Sequence, residues 1–164
     1  MPVPHDERLA LPVEQQALLW CMRVWVAGLR RPVEAGPRIQ DMMTQLGAPG
    51  AAPFFEGMMF ALRHGATRQL AVGCVCRRHL SDDERMLLEA LGLAQACRLF
   101  EALLTLRGIL TPEGARAALH SAEQLGISLA RAGRFLPAPE AEVRRFAFAS
   151  HAGAGPRLPS STLH

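Results

Sequence analysis

Lysine, tyrosine and asparagine are wholly absent from this 164-residue chain, and aromatic side chains make up only 5% of it. With two tryptophans and seven phenylalanines, it has too few aromatics among its basic residues to build a stacking platform for single-stranded nucleic acid. All 18 cationic side chains are therefore arginine. A GC-rich coding sequence supplies arginine freely, so the net charge of +3 and pI near 9.0 say little by themselves about a polyanionic partner. Long apolar runs are missing too. The most apolar stretch, Ala17 to Leu29, is interrupted by Arg23, whereas a bilayer span takes about 20 apolar residues, so no membrane partner is expected. Met1 to Leu11 carries Asp6, Glu7 and Arg8 in place of an apolar signal-peptide core. A cytoplasmic location follows as the expectation, and there four cysteines would be reduced.

Catalytic signatures are also lacking. The chain holds no G-x-S-x-G, no glycine-rich phosphate loop, no H-E-x-x-H and no dinucleotide fingerprint. Cys76 and His79 have the chemistry of a nucleophile and base, but the sequence supplies no third member or oxyanion hole, and the expectation is a protein that is not an enzyme.

What is present is a series of apolar stripes at helical spacing. Hydrophobic residues make up 49% and charged residues 20%, the composition of a globular chain long enough for one core. The pattern predicts an all-α fold, a compact array of five or six helices over residues 12–136, with a loose N-terminal arm over 1–11 and a mostly disordered tail over 137–164. The first helix runs from Val13 to about Arg30 behind Pro12, with Gln16, Arg23 and Arg30 as a thin polar stripe. So thin a stripe implies burial on most sides and a central place, with Trp20 and Trp25 giving much of the buried area. Gly36-Pro37 starts a second helix that ends at Leu46 before Gly47, and Pro53 opens a third to about His64. Ser81 followed by Glu84 forms a capping box for a fourth. Gly92 makes a break near Gly92–Ala94 conceivable, leaving one helix or two up to Leu106. Thr111-Pro112 caps the last.

One stretch is dense in chemistry: Gly73-Cys74-Val75-Cys76-Arg77-Arg78-His79, just before the capping box. Leu70, Val72, Cys74 and Cys76 alternate, which predicts an extended segment with both sulfurs on one face. Cys74, Cys76 and His79 supply three possible zinc ligands in a C-x-C-x-x-H pattern, with Cys97, His64 or Asp82 as candidates for a fourth. Zinc is thus the cofactor of the alternative reading, and none is the cofactor of the leading one. Arg77, Arg78 and the helix amides at Ser81 would favour thiolates, so a redox role is the other form of that alternative. Cys21 and Cys97 lie in apolar helical stripes and read as inert core residues.

The leading functional expectation is a non-catalytic protein that binds another protein or itself. Its candidate contact residues are Phe54, Phe55, Met58 and Met59 on the third helix, where large flexible apolar side chains suit a groove or a homodimer seam. A helical nucleic-acid-binding regulator, with Arg77, Arg78, Arg144 and Arg145 as its paired cations, is the third reading.

Overall fold

A computed structural model describes residues 6–29 and 32–140. The chain folds into six α-helices, in order α1 (Val13–Gly28), α2 (Pro32–Gln45), α3 (Ala52–Gly65), α4 (Asp82–Gln95), α5 (Leu99–Arg107) and α6 (Pro112–Arg131), with 3-10 turns at Glu7–Ala10 and Pro49–Ala51. The only β-type pairing among the described residues is one antiparallel bridge, Ala66 to Leu110. The all-α class holds, and no helix among them is long and apolar enough to cross a membrane.

The most extensive helix contact is between α3 and α6, followed by α4 against α6. Glycine permits the first. A Cβ on Gly65 would stand 2.7 Å from the Cα of Gly114, and one on Gly114 would stand 2.8 Å from the Cα of Gly65, so the two backbones touch where α3 ends and α6 begins. Fully buried Phe55, Met58, Leu91, Ala118 and Leu125, from α3, α4 and α6, belong to the core cluster. The centre of the fold is therefore α3 and α6, not α1. Helix α1 does bury Leu18, Leu19, Cys21 and Met22, but Trp20 and Trp25 sit half-buried at its margin, with the Arg38 guanidinium 5.2 Å over the Trp20 ring.

Three helices stop in the same way. Gly47, Cys97 and Gly133 have φ of 78°, 59° and 73°, and after each the paired hydrogen bonds of a Schellman end close the helix: Ala48 N–H to Met43, Arg98 N–H to Leu93, and Arg134 N–H to Leu129. Cys97, expected in the core, is thus an exposed residue in the left-handed region of the α4–α5 connection. The question left open at Gly92, one helix or two, resolves as two: α4 runs through Gly92 to Gln95, and the turn falls at Ala96–Arg98. Helix α2 likewise runs through Gly36-Pro37 from Pro32, since Pro37 lies just past the first turn and its missing N–H forfeits a single helical bond.

Both ends of the helical array are tied down further than their composition suggests. From Asp6 the N-terminal arm is docked: Asp6 caps the 3-10 turn and Glu7 and Arg8 reach the cysteine loop. After α6, residues 134–140 form a strap across α4. Gln95 donates to the carbonyls of Gly126 and Arg134 and accepts from the N–H of Leu136 at 2.6 Å, Leu136 is buried, and Arg98 donates to the carbonyl of Pro139. The strap explains Gly92, where a methyl group would overlap the Pro137 carbonyl. The expected tail beyond residue 140, and Arg144 and Arg145 with it, lies outside the described residues.

Candidate functional site

Arg23 is one guanidinium in an otherwise apolar turn of α1, and α1 can pack only if that charge finds a partner. It finds Glu84. Arg23 Nε and Nη2 donate to the two carboxylate oxygens of Glu84 at 2.7 and 2.9 Å, and the two side chains are 1% and 0% exposed. The remaining capacity of both groups goes to the cysteine loop. Arg23 donates to the carbonyls of Arg77 at 2.5 Å and His79 at 2.9 Å, while Glu84 accepts from the amides of Gly73 and Ser81, each at 2.9 Å. Burial pulls the Glu84 carboxyl upward, but the bonds from Arg23, Ser81 and Gly73 outweigh it and hold the group below its ordinary range. The expected capping box is formed, with Glu84 N–H donating to Ser81 Oγ at 3.1 Å. Glu84 is thus both cap and anchor.

Neighbouring groups pin the same loop from outside. Asp83 accepts a bidentate fork from Arg68 at 2.6 and 2.8 Å and the amide of Ala71 at 2.7 Å. The Arg68 guanidinium is the main reason its carboxyl is held below the usual range. From the N-terminal arm, Arg8 donates to the carbonyl of Val75 at 3.0 Å, the residue between the two cysteines. Glu7 accepts from the amide of Leu80 at 3.0 Å and from Arg85 at 2.6 Å, and its carboxyl falls to about 2, chiefly through the Leu80 amide. The backbone of Ala71, Gly73, Val75, Arg77, His79 and Leu80 is therefore held by charged side chains from other elements.

What the anchored loop presents is a pair of thiols. The segment is not extended through Cys76: Arg77 N–H donates to the carbonyl of Cys74 at 3.0 Å, closing a turn centred on Val75 and Cys76. Val75 packs partly against the core while Cys74 and Cys76 project into solvent, so the sulfurs adjoin because the chain bends, rather than through strand alternation. Their Sγ atoms are side by side, 2.6 Å apart, closer than two unbonded sulfurs pack and longer than the about 2.05 Å of a disulfide bond. That contact holds the Cys74 thiol below its ordinary range, helped by the amides of Cys76 and Arg77 and by the charge of Arg23. It pushes Cys76 up in turn. Once one sulfur of the pair is a thiolate, the other holds its proton more tightly. Buried Cys21 is pushed up to about 12 by desolvation.

The remaining candidate ligands do not converge. His79 points its Nδ1 toward Glu7 Oε1 at 3.5 Å, His64 has its Nδ1 2.9 Å from the Phe60 carbonyl of its own helix, Asp82 begins α4 and Cys97 ends the turn beyond it. Among the described residues no three histidine, cysteine or acidic side chains gather where a metal ion could sit. A tetrahedral zinc needs four donors, and two sulfurs are all that meet here, so the zinc reading does not fit this arrangement. The expected partner surface on α3 is corrected as well. Phe55, Met58 and Met59 are 0%, 1% and 2% exposed, because they point into the common core, and only Phe54 of the four stays half-buried. The exposed large apolar side chains are elsewhere, with Phe60 on α3, Phe100 and Leu104 on α5 and Phe135 after α6.

Sequence reasoning missed Arg23, Glu7 and Arg8 as parts of the site. For Arg23 a signal existed, a lone charge in an apolar helix. For Glu7 and Arg8 there was none beyond their being charged. The chain matches no protein-family model, and no curated protein or solved structure shows significant similarity to it.

Proposed function

We propose that this is a redox-responsive protein whose Cys74 and Cys76 interconvert between a dithiol and an intramolecular disulfide. The observation that carries the reading is the pair of touching, solvent-facing sulfurs on a turn held by a fully buried ion pair. Exposure gives an oxidant access, contact makes ring closure a small displacement, and the anchor keeps the sulfurs together in both states.

With a small-molecule disulfide as oxidant the steps balance. The Cys74 thiolate attacks one sulfur of the oxidant, forming a mixed disulfide and expelling a thiolate. Cys76, losing its proton, then attacks the Cys74 sulfur and expels the second. The chain gives up two electrons and two protons, and the oxidant becomes two thiols.

The test is equilibration of the full chain in glutathione buffers of graded potential, alkylation and peptide mapping. Cleavage after Arg68 and Arg77 yields one peptide holding both sulfurs. That peptide should lose two hydrogens at oxidising potentials and regain them on reduction, while Cys21 stays unmodified throughout. A pair that remains dithiol across the range, or that oxidises only between molecules, would overturn the reading.

A further inference from the structure

A second site lies apart from the thiols, in a cleft of about 390 Å³ between the end of α1, α3 and the segment leading into the loop. Its volume falls in the range of about 300 to 1,000 Å³ typical of small-ligand sites. The floor is made of core side chains, Met59, Leu62 and Leu87, which are 3% exposed or less. Trp25, Leu29 and Leu70 form the walls, and Leu29 is 42% exposed, so apolar surface stands open to solvent there.

The polar lining is cationic. Among the described residues, Arg63, Arg68 and Gln69 are the polar ones of the cleft, and no acidic side chain lines it. Arg68 is committed to Asp83 and the Gln69 carbonyl. Arg63, exposed near the end of α3, makes no ion pair among the described residues. A guanidinium with no ion pair among the described residues, at the edge of an apolar hollow, selects for an apolar body with an anionic head.

We propose that this cleft binds a small amphiphile with a carboxylate head, the chemistry of a medium-chain fatty acid. The apolar body covers Trp25, Leu70 and the floor, and the carboxylate pairs with Arg63. The site is independent of the thiol pair and stands or falls separately from it.

Full-length protein carrying Trp20→Phe leaves Trp25 as the sole indole, and its emission can be titrated with octanoate, 1-octanol and octylammonium. Octanoate should give a saturable change, tighter than 1-octanol by about threefold to fivefold, the size expected of an exposed ion pair, with octylammonium weakest. Arg63→Gln, a surface change that spares the fold, should bring octanoate to the level of 1-octanol and leave 1-octanol unmoved. Three results would each overturn the proposal: no saturable response to any probe, octylammonium binding as tightly as octanoate, or octanoate affinity untouched by Arg63→Gln.

Discussion

Glu84 has three partners at once: it shares the α4 capping box with Ser81, neutralises Arg23 and accepts from the amide of Gly73. Removing its charge strands a guanidinium that is 1% exposed, and breaking a buried pair from one side costs about 3–5 kcal/mol. Glu84→Gln should therefore lower unfolding free energy by about that much, read from urea midpoints. An effect below about 1 kcal/mol, the worth of a surface pair, would mean that water reaches the site. Replacing both partners, Arg23→Met with Glu84→Met, should recover much of this stability, because no lone charge remains. It should not recover the loop, whose amides and carbonyls lose their partners, so Cys74–Cys76 closure should slow in the double variant even where the helices are intact. A second residue-scale prediction concerns Glu7. Its folded pKa near 2 lies below the ordinary 4.5, so its contribution is complete above pH 4.5 and is lost as pH falls through about 2. An NMR titration of the Leu80 amide should have its midpoint near 2; a midpoint near 4.5 would show that the arm is not docked in solution.

At the scale of elements, the strap over α4 makes an opposite-sign prediction for Gly92. In an exposed helix interior, Gly→Ala stabilises by about 1 kcal/mol. Here the added methyl overlaps the Pro137 carbonyl, so Gly92→Ala should expose the backbone after Arg134 to trypsin while helix content, read by circular dichroism, stays the same or rises. Unchanged cleavage would detach the strap from the argument. The same contact explains what was and was not legible in the chain. Local signals were read correctly: Ser81 with Glu84 starts α4, Thr111-Pro112 starts α6, and Gly47 ends α2. Gly92 left one helix or two open because its reason lies at Pro137, far along the chain, and Cys97 misled because it takes a left-handed helix end that glycine usually fills. The two sulfurs were expected together, but through strand alternation; the turn that unites them depends on Arg8 and Arg23, whose reach no local pattern encodes.

At the scale of the molecule, the core and the thiol loop are built on different physics. The core is apolar packing centred on α3 and α6, whereas the loop hangs from α1 and α4 by charged groups and contributes Leu80 to the buried set. Oxidising Cys74 and Cys76 closes a ring of only three residues, and the loop-entropy relation gives such a ring about 1.6 kcal/mol. For a chain of this size about 1 kcal/mol moves Tm by roughly 2–4 °C, so oxidised and reduced protein should melt within about 6 °C of each other. Glu84→Gln, acting on the anchor, should shift Tm by more than that. On the proposed redox reading, oxidation would then change the conformation and chemistry of the exposed turn and not global stability, leaving the helices in place. Calorimetry of the two redox forms decides the matter. A difference well beyond 6 °C would show that the thiol pair is coupled through Arg23 to the packing of α1 on α4, and the loop would then be a structural staple and not a reversible switch.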